Sequence, residues 1–196
     1  MMITLVSLVL LAAEALAAEQ INFPDALVVN QRGEAVHFHA DLIKGKTVVI
    51  DFVFTSCTIV CRPLTRNLQK VQAELGKETL SDVQFASVSV DPVHDTPVVL
   101  ASFAQAFRIT PNWSFITGSK VQIDNILQAA GVYTVEPNYH TARVIIGSEA
   151  AGWSRFYGLS SPEMLAQAVR RAVQMRKEKA LSKQQTSHWG GLGQSW

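Results

Sequence analysis

A mixed α/β domain, with one central sheet flanked by helices, is what this chain of 196 residues predicts. Three observations carry that expectation. Apolar, β-branched runs recur at Thr47 to Phe54 and Val83 to Val90, the signature of strands buried on both faces. Between and after them, apolar residues repeat at helical spacing, as at Leu64, Leu68, Val71 and Leu75. Helix starts and stops are signposted by Thr96-Pro97, Ser161-Pro162, Gly76 and Gly131. Alternating strands and helices place helices on both faces of a sheet. Two strands joined by a helix must then be parallel, with a right-handed crossover.

Composition sets the outer bounds. With 48% hydrophobic residues and a net charge of +1, the chain can fold as one domain burying about 70% of its unfolded surface. That charge offers no electrostatic footprint for nucleic acid. The first residues are different: Met1 to Ala13 is almost wholly apolar and Ala15-Leu16-Ala17 follows. That pattern predicts a secretory signal peptide over residues 1–18, and hence an exported, periplasmic protein. Were the segment kept, it would act as a membrane tether. It is short of the roughly 20 apolar residues that a span needs, and no later stretch qualifies.

The elements follow in order. Leu27 to Val29 and Val36 to Phe38 read as a hairpin turning at Asn30 to Gly33. Lys44-Gly45-Lys46 turns into the strand Thr47 to Phe54. The helix Arg62 to Leu75 carries Pro63 in its first turn and stops at Gly76. Strand Val83 to Val90 ends at Asp91-Pro92, and Thr96-Pro97 opens a helix through Phe107. Trp113 to Ile116 is a short strand and Val121 to Ala130 a helix. Arg143 to Ile146 and Trp153 to Tyr157 form a closing hairpin, and Ser161-Pro162 starts the last helix. The domain is expected over residues 19–177, with a disordered tail over 178–196. This order suits a thioredoxin-like fold, with the reactive groups at the carboxyl ends of the central strands.

There the chain places Cys57 and Cys61, its two cysteines. Two cysteines this close in an exported protein do not make a disulfide scaffold; they read as a redox pair or as metal ligands. A helix beginning near Cys57 would set both on one face, Cβ atoms about 5–6 Å apart. A helix N-terminus and the neighbouring Arg62 favour thiolate. Two thiolates and one imidazole suit copper as Cu(I); zinc in a structural site wants a fourth ligand. A thiol–disulfide enzyme more often uses C-x-x-C. Two buried, inert cysteines are the bland alternative.

His140 is the histidine best placed to complete such a site. It precedes the strand Arg143 to Ile146, which in a thioredoxin-like sheet starts beside the end of the strand feeding Cys57. His94, in the Asp91 to Thr96 loop of the same rim, is a candidate fourth ligand or supporting group. His37 and His39 alternate with Phe38 and are expected to face solvent together from a strand. His188 lies in the tail.

These residues resemble the SCO/SenC family of copper chaperones for cytochrome c oxidase, over roughly Phe23 to Met175. The likeness rests on the strand and loop Asp51 to Cys61 with its C-x-x-x-C, on Ser87 to Pro97 (SVSVDPVHDTP), on Tyr139-His140-Thr141 and on the closing hairpin. The resemblance implies one copper ion, Cu(I) or Cu(II), held by Cys57, Cys61 and His140. It implies delivery to the binuclear copper site of an oxidase subunit, or reduction of that site's cysteines. The expected partners are a copper-accepting oxidase subunit or another periplasmic copper protein, and a thiol reductant; the chain is expected to act as a monomer. Asp91 and Asp95 are expected to shape the adjacent loop, with Asp95 capping the next helix. The chain departs from the family pattern at Thr58 and Arg62, where proline is usual, and at Tyr139, where Asp is typical. A competing function is an exported thiol–disulfide oxidoreductase or redox sensor with no physiological copper role; a non-catalytic binding module is another.

Overall fold

The computed structural model describes residues 19–57, 59–107 and 109–190, so the expected signal peptide at 1–18 lies outside the described residues. The chain starts with the hairpin β1 (Leu27–Asn30) and β2 (Ala35–His37), in the register Val28 to Val36. Asn30 makes the turn: its Oδ1 accepts the N–H groups of Arg32 at 2.8 Å and Glu34 at 3.1 Å, the Asx device that replaces backbone acceptors in tight turns.

The returning strand is shorter than expected. It ends at His37, and Phe38–Ile43 coils as a π-helical turn. That coil drives Phe38, Leu42 and Ile43 into the core, with the Asp41 carboxylate taking the His37 N–H at 2.7 Å. His37 and His39 therefore do not share a strand face. His37 lies 3.3 Å from Asp25, and His39 lies 2.7 Å from Glu149.

Seven wholly buried residues then form β3 (Thr47–Val53). The other elements are α1 (Cys61–Ser81), β4 (Val83–Ser89), α2 (Pro97–Gln105), β5 (Trp113–Thr117), α3 (Lys120–Ala130), β6 (Arg143–Ser148), β7 (Gly152–Tyr157) and α4 (Pro162–Gly190). The seven-stranded sheet runs β2-β1-β5-β4-β3-β6-β7. β3, β4 and β5 are parallel, and β6 lies antiparallel to β3.

Two apolar layers sandwich this sheet. Val49 and Val53 of β3 pack with Leu64 and Leu68 of α1, Phe103 of α2 and Val169 of α4. Val48, Ile50 and Phe52, on the opposite face by strand alternation, pack with the π-helical turn and with Ile123 and Ile126 of α3.

Two helices differ from expectation. α1 is broken at Gly76 (φ 71°, ψ 163°) but turns again to Ser81. α4 does not end at Lys177; it runs to Gly190, so helix replaces the expected disorder over 178–190. The residues past Lys177 are polar, yet Lys, Glu, Ala, Leu and Gln are strong helix formers. Gln174 also bridges to Glu178 at 2.7 Å, four residues on.

Candidate functional site

β3 delivers the chain to the rim, and a tight turn delivers Cys57. The Val53 carbonyl accepts the Val90 N–H at 2.8 Å, and the Phe54 carbonyl accepts the Cys57 N–H at 3.1 Å. Helix α1 starts only at Cys61, behind Val60, which offers no capping side chain. Cys57 fills that role: its Sγ accepts the Cys61 N–H at 3.3 Å. The pair does not share a helical face as the sequence suggests. The first sulfur sits ahead of α1 and meets the second across the helix start, because the free N–H groups there need an acceptor.

Both cysteines are free thiols and buried, Cys57 at 7% exposure and Cys61 at 1%. Their environments push them apart. For Cys57, burial disfavours the thiolate, but the Cys61 thiol and the N–H groups of Cys61, Val60 and Ile59 outweigh it, so the pKa falls. For Cys61, burial raises the pKa far above the ordinary thiol range. The hydrogen bond with Cys57 and the charges on Cys57 and Asp51 push the same way. The thiolate is therefore favoured at Cys57 over Cys61. Arg62 is spent elsewhere, its guanidinium 5.3 Å from the ring centre of Phe103.

His140 sits on the same rim. The register Asp51 to Val144 sets the start of β6 beside the end of β3. His140 follows the 3-10 turn Pro137–Tyr139 and is 9% exposed. Its Nδ1 lies 3.1 Å from the Pro137 carbonyl, which can only accept, so Nδ1 carries the hydrogen and Nε2 the lone pair. That Nε2 is buried without a hydrogen-bond partner. Burial holds the imidazole pKa below its ordinary value, against the pull of the Pro137 and Phe52 carbonyls. The ring meets Phe54 edge to face, 5.3 Å between centres. Among the described residues no three His, Cys, Asp or Glu side chains are gathered closely enough to hold a metal ion. Cys57 and Cys61 are in contact, and His140 packs on the residue whose carbonyl anchors Cys57.

The remaining candidates separate. His94 is bound through Nδ1 to Asp91 at 2.8 Å, with 79% of its side chain exposed. His188 falls near the end of α4. Asp95 does not cap α2; Thr96 does, accepting the Val99 N–H at 3.4 Å. Asp51, which no motif in the sequence singles out, is buried at 1% exposure in β3 on the α1 side of the sheet. Burial raises its pKa to about 7, although Ser87 donates to it at 2.5 Å. The available signal was an acidic residue inside an otherwise apolar strand, since Asp is almost never buried without a reason.

Comparison with known proteins adds the following. The family model SCO1/SenC matches residues 18–174. The SCO1 protein homolog of Bacillus subtilis (strain 168) is 38% identical over 90 residues, 45% of either chain, so the match spans a little under half of that relative's length. Bradyrhizobium japonicum ScoI, solved with copper bound, superposes with a TM-score of 0.63 at 25% identity, over 77% of this chain and 99% of that one. BsSco, described with a disulfide switch and as a member of the Sco family of cytochrome c oxidase assembly proteins, gives a TM-score of 0.68 at 26% identity, over 80% and 96%.

Proposed function

Because the chain belongs to the SCO1/SenC family, we propose that it carries one copper ion on Cys57, Cys61 and His140 in the assembly of a cytochrome oxidase copper site. The observation that carries this reading is the unpartnered, buried Nε2 of His140 on the rim that holds the two thiols. A buried nitrogen without a partner is costly, and a metal ion would satisfy it. The Pro137 carbonyl on Nδ1 is the usual outer support of a ligating imidazole. Two thiolates and a neutral imidazole form a soft donor set, which suits Cu(I). ScoI with copper bound and the oxidase-assembly description of BsSco point the same way.

The copper is cargo. Its acceptor would be an oxidase subunit or another copper protein outside the cytoplasm, which agrees with the expected export signal. The same dithiol supports a second role, favoured by the polarised pair itself. A thiolate at Cys57 can attack a partner's disulfide, and the Cys61 thiol can then resolve the mixed disulfide. One intramolecular S–S bond forms and the partner gains two thiols. A thiol reductant would restore the pair.

Anaerobic titration of the reduced protein with Cu(I) and Cu(II) tests the copper role. One ion per chain is expected, with a sulfur-to-copper charge-transfer band for Cu(II). His140→Ala should weaken binding by at least ~10-fold and alter that band. A variant with wild-type affinity and spectrum would remove His140 from the site and leave the thiol–disulfide role standing.

A further inference from the structure

Asp95 is charged, yet 1% exposed. Its Oδ1 accepts both donors of one residue, the Thr55 N–H at 3.2 Å and the Thr55 hydroxyl at 2.6 Å. Its Oδ2 accepts the Ser89 hydroxyl at 2.6 Å. The Ser89 Oγ itself accepts the Asp91 N–H at 3.0 Å, which commits its hydrogen to Asp95. Three donors converge on an acceptor-only carboxylate, and such charge-assisted bonds are about twice as strong as neutral ones. The partners come from separate segments. Thr55 opens the loop that leads to Cys57, and Ser89 ends β4. Asp95's own N–H is tied to the Asp91 carbonyl at 2.9 Å.

We infer that Asp95 is a positioning residue for the dithiol. It grips Thr55, two residues before Cys57, and so fixes the loop that brings the Cys57 sulfur onto the Cys61 N–H. The inference rests on the reading of Cys57 and Cys61 as the functional pair, and it goes beyond that reading in naming what holds them. Among the described residues no hydrogen bond joins either thiol to the side chains of Thr55 or Ser89; the carboxylate acts through the backbone of Thr55. Helix capping does not explain its burial, since Thr96 already caps α2. An asparagine fits the space but offers one acceptor oxygen, leaving either Thr55 or Ser89 facing an amide NH2. Thr55→Val removes one of the two donors and keeps the N–H, whereas Thr55→Ser keeps both.

The test uses metal-free protein equilibrated with glutathione buffers. The two thiols give two electrons and two protons to oxidised glutathione; one internal S–S bond forms and two glutathione thiols are released. Because the grip stabilises the dithiol arrangement, Thr55→Val and Asp95→Asn should each shift this equilibrium toward the disulfide by about tenfold, about 30 mV for two electrons. The double variant should shift it no further than either single one, and Thr55→Ser should match wild type. Ile126→Val, in the core on the opposite face of the sheet, should lower stability without moving the equilibrium. Wild-type equilibria for folded Thr55→Val and Asp95→Asn would overturn the inference; if Asp95→Asn fails to fold, Thr55→Val decides alone. Copper titration of the wild type separates the two claims. Absent copper binding with a shifted equilibrium removes the metal reading and keeps Asp95; normal copper binding with an unshifted equilibrium does the reverse.

Discussion

Asp51 lies in the middle of β3 with one carboxylate oxygen bound by Ser87 and the other, Oδ2, buried without a partner. Ser87 also takes the Trp113 indole N–H at 2.8 Å, so its own hydrogen is free for Asp51. Burial is the leading cause of the raised pKa, from 3.8 to about 7. The folded state therefore holds a proton that the unfolded chain gives up near the ordinary carboxylate value. Where the folded state binds more protons, stability falls as pH rises. The contribution of Asp51 is complete below about pH 4 and is lost progressively up to about pH 7. Asp51→Asn removes the titration. Urea unfolding should show the variant flatter than wild type between pH 4 and pH 8 and more stable at pH 8, by an amount on the order of 1–4 kcal/mol. Parallel pH profiles for the two proteins would show that Asp51 ionises freely in the fold. The same residue also explains part of the protonated state of Cys61, whose pKa its charge helps to raise.

At the scale of elements, the break in α1 has a local cause. Gly76 holds φ 71° and ψ 163°, a region that side chains other than glycine's essentially do not enter. A Cβ added there meets nothing within 4 Å, so the demand is on backbone conformation alone. Alanine is the best helix former and would favour a straight helix through the break. A straight helix would carry Ser81 and Asp82 away from their places before β4. Gly76→Ala should cost about 1–3 kcal/mol in urea unfolding. A neutral or stabilised variant would mean that the break is not needed to set the start of β4. The glycine was legible in the sequence as a helix stop, and the stop is real. What the sequence did not display is the extra turn beyond it, because five residues of mixed polarity carry too little periodicity to register. The start of α1 agrees to one residue with the expected Arg62, but its capping acceptor is a sulfur, which no capping pattern of Ser, Thr, Asp or Asn reveals.

Across the whole molecule, long-range partners decide what local patterns cannot. The β-branched runs announced β3 and β4 and their parallel pairing. The placement of Cys57, Cys61 and His140 on one rim was visible from the strand ends. Asp95 was visible as a loop residue, but its partner Thr55 stands forty positions away and belongs to no short motif. The extent of α4 shows the same limit, because its anchor lies in other elements. Arg176 donates from Nε to Thr47 Oγ1 at 3.0 Å, from Nη1 to the Gly45 carbonyl at 3.2 Å and from Nη2 to Asp82 at 3.2 Å. Lys177 adds a second contact to Asp82 at 2.7 Å. One side chain thereby ties the last helix to the start of β3 and to the end of α1. From Glu178 to Gln185 the helix is exposed, Leu181 included at 59%, and most of its residues there are strong helix formers. The stabilising reach of α4 should then end at this anchor. A chain stopped after Lys177 should lose helical circular dichroism in proportion to the residues removed yet keep its unfolding midpoint. Arg176→Ala in the full chain should cost about 1–3 kcal/mol, the range for hydrogen bonds from a charged group. A truncated chain that unfolds well below the full one would show that residues 178–196 pack on the domain after all.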